Sequence, residues 1–178
     1  MKRLLFVGLM LVSAAGIAQT RVRGVVESFD GKTLVVKDAG SVQVGSQTEI
    51  VFTQPITLAE IKPGDFLGVT SRKGAGGSLT AYEVRRFPKP LNPGHRPFDG
   101  GENQTMTNAT VGTVSQSADG RVLSLSYDGG SQQILVPESA SISTLVPGKP
   151  SQLVPGARVN LTHNDAKTAL RIQVSPPR

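Results

Sequence analysis

The 178-residue sequence contains no cysteine and no tryptophan, and only 4% of its residues are aromatic. Without cysteine there is no disulfide, no thiolate metal site and no thiol nucleophile. We therefore also expect no lipid anchor of the kind that bacterial lipoproteins carry on a cysteine. An exported protein of this length that lacks disulfides must be stabilised by adequate hydrophobic cores.

Residue patterns that support catalysis are also scarce. His95 and His163 are the only histidines, and no serine occupies a Gly-x-Ser-x-Gly motif. Nucleophilic catalysis requires a base within reach of a nucleophile. Acidic residues such as Asp30 and Asp119 stand in turn patterns, where aspartate is favoured because it bonds to the backbone. We therefore expect a protein that is not an enzyme and that binds no cofactor.

The first 18 residues have the pattern of a secretory signal peptide. Lys2 and Arg3 precede an almost wholly apolar run over residues 4–12, and small residues follow. Gly16-Ile17-Ala18 offers small residues at the positions that a signal peptidase reads, so we expect cleavage after Ala18. The apolar run is too short to span a bilayer as a helix. This pattern predicts a periplasmic or secreted bacterial protein.

The rest of the chain contains an internal repeat. The sequence IKPG, which includes Pro63, matches LVPG, which includes Pro155, and an alternating apolar run follows each. Proline sets the first central position of a type II turn, and glycine tolerates the positive φ of the second. Other landmarks recur in the same order: Gly24 with Gly112, Asp30 with Asp119, and Val84 with Ile172. A repeat of this kind has to be recognised before a fold is assigned.

Each copy of the repeat has the local signals of β-structure. Short β-branched runs are separated by turns, as at Asp30-Gly31, and no amphipathic helical period extends over ten residues. Five or six strands with one helical turn favour a small barrel, OB-like or SH3-like. The sequence thus predicts an all-β protein with two tandem barrels. We assign residues 1–18 to the signal peptide, 19–88 to the first barrel, 89–107 to a Pro/Gly-rich connecting loop and 108–178 to the second barrel.

The pattern GVVESFDGKTLVVK, LAEIKPGDFLGV and GGSLTAYEVRRFP resembles a family of uncharacterised exported bacterial proteins. The segment GHRPFDGGENQTMTNATV is similar to a stretch of the two-unit members of this family. The resemblance covers nearly the whole chain after the signal peptide. It implies a small β-barrel domain and an exported location, and it implies no activity or catalytic residue.

The formal net charge is +6 for the whole chain and +4 once Lys2 and Arg3 leave with the signal peptide, and this mild basic bias and the connecting loop point to a binding role. A basic surface favours an anionic partner, and junctions between domains are common ligand sites. Nucleic acid is a poor candidate, because single-strand binders need exposed aromatic residues for stacking. We therefore expect an envelope protein, or an anionic glycan or lipid, to contact the loop region. The expected binding residues are Arg85, Arg86, His95, Arg96 and Phe98.

A divalent metal site is the alternative. His95 is followed within seven residues by Asp99 and Glu102, and His163 by Asp165. One imidazole and two carboxylates can hold a divalent ion only if the loop folds around it. The sequence shows no His-x-His spacing, so a surface histidine competes with this interpretation.

Overall fold

The computed structural model of the protein describes residues 19–98 and 103–177. Within these ranges the chain consists of strands and three short 3-10 turns without an α-helix, which confirms the predicted all-β class. The strands are β1 (Thr20–Phe29), β2 (Thr33–Val36), β3 (Gly40–Gln43), β4 (Glu49–Pro55), β5 (Phe66–Lys73), β6 (Leu79–Phe87), β7 (Gly94–Pro97), β8 (Gln104–Ser117), β9 (Gly120–Tyr127), β10 (Gly130–Val136), β11 (Ser141–Pro147), β12 (Arg158–His163) and β13 (Ala169–Ser175). The turns comprise Leu58–Glu60, Ala75–Gly77 and Pro150–Gln152.

The first strand group consists of β5, β6, β8, β9 and β10, and it forms a closed barrel. Antiparallel pairing runs from β6 through β5, β8 and β9 to β10. A parallel contact between Leu135 of β10 and Thr80 of β6 closes the ring. The alternation of each strand turns its apolar residues inwards. The resulting core includes Leu67, Val69, Val84, Leu123, Leu125 and Ile134, all fully buried.

The second strand group consists of β1, β2, β3, β12 and β13. Antiparallel pairing runs from β3 through β2, β1 and β12 to β13. An isolated parallel bridge between Gln43 and Thr168 brings β3 back to the start of β13, where the Gln43 N–H donates to the Lys167 carbonyl over 2.8 Å. The core of this group includes Val26, Leu34, Val36, Leu161, Ile172 and Val174.

The strand pairing does not confirm two tandem barrels that each fold from one contiguous half. Strand β1 of the first half pairs with β12 of the second, and β5 of the first half pairs with β8 of the second. Between the groups, β4 and β11 pair with each other, β4 also pairs with β13 and β11 with β6. The repeat predicted which segments of the two halves are equivalent. Because equivalent strands have similar sequences, the repeat does not show whether a strand pairs within its own half or with the other half. The two halves of the chain are interlaced.

The connecting segment also differs from the predicted loop. Strand β7 lies within residues 89–107, and β8 begins at Gln104. Among the strands of the described residues, β7 pairs only with β8, so Pro97 does not interrupt a ladder on its other side. Proline is tolerated on such an edge. The segment therefore extends the sheet of the first strand group.

The predicted turns are confirmed. Gly64 and Gly156 have φ values of 92° and 85°. The Asp65 N–H donates to the Lys62 carbonyl over 3.1 Å, and the equivalent bond from Ala157 measures 3.0 Å. These are the hydrogen bond and the positive φ of a type II turn. The first turn leads into β5 and the second into β12. These two strands are equivalent in the repeat, but β5 contributes to the core of the first strand group and β12 to that of the second.

Candidate binding groove

The two arginines predicted to contact a ligand are engaged within the protein. Arg85 forms an ion pair with Glu83 two residues earlier on β6. The Arg86 guanidinium lies 3.8 Å from the Asp65 carboxylate and donates to the Glu60 carbonyl over 3.1 Å. Both side chains are partly buried. Their main interactions are therefore internal, and they are weak candidates for the anion site.

His95 and Phe98 bond the connecting segment to β8, and Arg96 bonds within the segment. Nδ1 of His95 lies 2.8 Å from Oγ1 of Thr107 on the neighbouring strand. Burial, with the nearby charge of Lys73, lowers the pKa of His95 below its ordinary value. The Arg96 guanidinium donates to the Asn92 carbonyl over 3.2 Å, and the Phe98 N–H donates to the Gln104 carbonyl over 2.9 Å.

Among the described residues, the structure does not bring the predicted metal ligands together. Asp99 and Glu102 lie outside those residues, so the proposed site around His95 stays a prediction. His163 is 2% exposed, and its Nδ1–H donates to the Asn164 carbonyl over 2.6 Å, whereas Asp165 is exposed. Within 19–98 and 103–177, no group of three histidine or acidic side chains could hold a metal ion.

A buried amide positions the start of the connecting segment. The side-chain nitrogen of Asn108, which is 5% exposed, donates to the carbonyls of Leu91 and Asn92 over 3.0 and 3.1 Å. Asn92 has a φ of 44°, so the chain turns sharply there. Leu91 remains 50% exposed although its backbone is fixed. A single exposed apolar side chain is common on protein surfaces, so the position of Leu91 matters only together with the groove that it lines.

A groove of about 220 Å³ opens beside Leu91, where the outer faces of the two strand groups meet. Its floor and one wall come from β12, β13 and the N-terminal part of β1, and its other wall comes from β11, the end of β6 and the connecting segment. The lining residues are Arg21, Phe87, Leu91, Leu145, Asn160, Leu161, Thr162, Arg171 and Gln173. We refer to this depression as the junction groove.

Two arginines lie on one face of the junction groove because of the strand register. Thr162 pairs with Arg21 on one side and with Arg171 on the other, so all three side chains point the same way. Adjacent strands are about 4.8 Å apart, which places the two arginine Cα atoms about 10 Å apart. Arg171 Nε lies 3.6 Å from an exposed Glu49 carboxylate oxygen. Arg21 has no ion pair within the part of the chain that the structure describes.

The next row of the groove supplies amide groups. Arg23 pairs with Asn160, and Asn160 pairs with Gln173, whose Nε2 donates to Oγ1 of Thr53 over 3.1 Å. Arg23 therefore shares a face with Arg21, as the alternation of a strand requires. The groove thus combines guanidinium groups, neutral hydrogen-bonding groups and the apolar side chains of Phe87 and Leu91. This combination suits a small ligand with an acidic group and an apolar face.

Most of these groove residues were not found by the sequence analysis. Arg171, Gln173 and Asn160 come from the second copy of the repeat, whereas the expected site residues came from the first copy and the loop. Strand alternation in β12 and β13 indicates that these residues point outwards. It does not indicate that they lie beside Arg21, since that contact depends on the interlaced pairing.

The described residues include no helix that is long and apolar enough to cross a membrane. Comparisons of the chain with protein-family models, curated proteins and solved structures find no match. The chemistry of the junction groove therefore has to be argued from its own residues.

Proposed function

We propose that the protein is an exported, non-catalytic binding protein that holds an anionic ligand of the bacterial envelope in the junction groove. The observation that carries this proposal is the placement of Arg21 and Arg171 on either side of Thr162, next to Phe87 and Leu91. The ligand chemistry is a carboxylate, phosphate or sulfate attached to a less polar body. An acidic glycan and a lipid headgroup both supply it.

The physical basis is the match between guanidinium groups and oxyanions. Arginine donates in a planar fork that fits carboxylate and phosphate, and such charge-assisted bonds are stronger than neutral ones. Asn160 and Gln173 supply amides that can accept from and donate to hydroxyl groups. Phe87 and Leu91 offer an apolar surface to the ring face of a sugar or to the glycerol end of a lipid.

Export is supported by the N-terminal pattern of charged, apolar and small residues. The residues that carry the signal-peptide pattern lie outside the described part of the chain. A polypeptide that folds around two apolar cores without any disulfide is compatible with either the periplasm or the medium.

The experiment measures binding of the chain from residue 19 onward to two anionic probes. One probe is an oligogalacturonate, and the other is a vesicle that contains phosphatidylglycerol. We expect one of the two to bind, with an affinity that falls as salt rises because exposed charges are screened. Galacturonate binding identifies a glycan site, and vesicle binding identifies a headgroup site.

The matched variants separate the groove from the general surface charge. Arg21→Gln with Arg171→Gln should weaken binding by about tenfold or more, since each lost charge-assisted bond is worth about 1.5–3 kcal/mol. Arg158→Gln with Lys32→Gln also removes two positive charges, both outside the groove, and should have little effect. Equal losses in all variants, or no binding of either probe, would contradict the proposal.

A further inference from the structure

A second cleft, of about 470 Å³, lies at one end of the closed barrel. Its base is apolar and is formed by Ile56, Leu58, Ala140 and Ile142. These four side chains are partly buried and pack directly on the core of the first strand group. Clefts of about 300–1,000 Å³ with an apolar base are typical of small-molecule sites. We refer to this depression as the barrel-end cleft.

One wall of the barrel-end cleft is an extension that the equivalent hairpin lacks. In the β1–β2 hairpin the pair Phe29–Leu34 encloses residues 30–33. In the β8–β9 hairpin the equivalent pair Val114–Leu123 encloses residues 115–122, which is twice as many. The extra pairs bring Gln116, Gly120 and Arg121 to the cleft. The insertion therefore enlarges this end of the barrel.

The base of the cleft also differs between the copies. The Ile56 N–H donates to the Ile142 carbonyl over 3.1 Å, and the Gly148 N–H donates to the Ile50 carbonyl over 2.8 Å, so Ile56 and Gly148 occupy equivalent positions. A Cβ on Gly148 would lie 2.7 Å from Cγ2 of Ile50, which leaves no space for a side chain. The first strand group carries an isoleucine at this position, and its side chain lines the cleft.

Arg121 gives the barrel-end cleft a positive charge. On β9 it is two residues before Leu123 and four before Leu125, so its side chain belongs to the core-facing row. It pairs with Val136 on β10 and with Gln116 on β8. Its guanidinium has no ion pair among the described residues, and Glu138, the acid of the lining, is exposed. A half-buried cation above an apolar base favours an anionic group at that point.

We infer that the barrel-end cleft binds a small amphipathic molecule, with an aliphatic body against Ile56, Leu58 and Ile142 and an anionic head at Arg121. The apolar base stabilises the body by removing methylene groups from water. The guanidinium orients the molecule by donating hydrogen bonds to the anionic head at the rim. This site is separate from the junction groove and does not depend on the ligand proposed there.

The test uses calorimetric titration of the chain from residue 19 onward with hexanoate, octanoate, decanoate and 1-octanol. The affinity should rise roughly tenfold for each two added methylenes, since each buried methylene contributes about 0.8 kcal/mol. Octanoate should bind about tenfold more tightly than 1-octanol, which has one more methylene in its aliphatic body but no charge. No heat with decanoate, or equal affinities along the series, would overturn the inference.

Paired variants assign the two parts of the site. Arg121→Gln should remove the preference for octanoate over 1-octanol, while Lys32→Gln in the shorter β1–β2 hairpin should leave it unchanged. Leu58→Ser should weaken all four probes without changing that preference, because it shortens the apolar base. Arg21→Gln with Arg171→Gln should leave decanoate binding intact. If the groove variant abolishes decanoate binding, or Arg121→Gln retains the preference, the assignment to this cleft is wrong.

Discussion

The two strand groups are built from equivalent strands in the same order of pairing. They differ mainly in the length of one hairpin and in the segments that connect the strands. Each contains three strands from the start of one repeat and two from the end of the other, around a core of aliphatic residues. Leu34 and Leu123 occupy equivalent, fully buried positions. The longer β8–β9 hairpin and strand β7 occur only in the first group. The cores have thus kept their chemistry, while the strand ends and connections have acquired the two clefts.

Polar positions inside the two groups are equivalent in place but not in residue type. Ser71 pairs with Thr105 in the first group, and His163 pairs with Thr20 in the second. Both Ser71 Oγ and His163 Nε2 are buried and have no hydrogen-bond partner among the described residues. Each lies in the last part of its strand, beyond the aliphatic core. The comparison shows that this end of both groups accepts polar atoms, which would be costly in the middle of the core.

Truncation of the equivalent leucines makes the largest predicted difference. Leu34→Ala and Leu123→Ala should each lower the free energy of unfolding by about 2–5 kcal/mol, because each leaves a cavity in a close-packed core. Urea unfolding followed by circular dichroism should show one transition for each variant, since both halves contribute to both cores. The control Leu170→Ala, at a residue 37% exposed, should cost about 0.5 kcal/mol or less. Two separate transitions, each shifted by only one variant, would contradict the interlaced account.

A smaller effect is expected at the position where the copies differ in size. Gly148→Ala should destabilise the protein by about 1–3 kcal/mol, because the new methyl group would overlap Ile50. Gly112→Ala is the matched control, since its nearest neighbour would be an ordinary 3.5 Å away. Thermal unfolding of the two variants measures the difference. Equal midpoints would show that the two cores are not packed as differently at this end as the structure indicates.

The smallest effect concerns His95, which has no counterpart in the second group. Its pKa is lowered by burial and by Lys73, so the folded state binds fewer protons than the unfolded state just below pH 6.5. Stability should therefore fall as the pH drops through 6.5 towards the folded pKa. His95→Gln should flatten this dependence. An NMR titration should show a His95 pKa below 6.5 that rises in Lys73→Gln, and a value above 6.5 would exclude this origin.

The features that the sequence predicts correctly are those that local chemistry decides. The Pro63-Gly64 and Pro155-Gly156 turns follow from the φ preferences of proline and glycine. The β1–β2 hairpin was predicted at Asp30, whose carboxylate accepts from the N–H groups of Lys32 and Thr33 over 2.8 and 2.7 Å. These bonds join residues that are two and three positions apart in sequence. They form in the same way whichever copy supplies the neighbouring strand.

The features that the sequence does not predict are those that depend on partners distant along the chain. Strand β11, with the sequence SISTLVP, pairs with β4 and with β6, and both partners are distant from it in sequence. The repeat in the sequence matches Gly24 with Gly112. In the structure Gly24 pairs with Val159, and Leu67, the equivalent of Val159, pairs with Ala109. The structural counterpart of Gly24 is therefore Ala109. The hairpin insertion had shifted the alignment. The junction groove was missed for the same reason, since Arg21 and Arg171 become neighbours only through β12.

The most direct test of the interlaced fold is a pair of engineered disulfides, which the absence of native cysteine makes unambiguous. Arg21 pairs with Thr162, which lies seven residues after Pro155, and the equivalent residue seven after Pro63 is Thr70. Paired residues on antiparallel strands have Cα atoms about 4.5–5.5 Å apart, within the range that a disulfide spans.

The account predicts that Arg21→Cys with Thr162→Cys forms an intrachain disulfide in the folded monomer, detected by non-reducing mass spectrometry after size separation. Arg21→Cys with Thr70→Cys should remain reduced under the same conditions, because β1 and β5 belong to different strand groups. The reverse result, a disulfide to Thr70→Cys and none to Thr162→Cys, would show that each repeat folds upon itself.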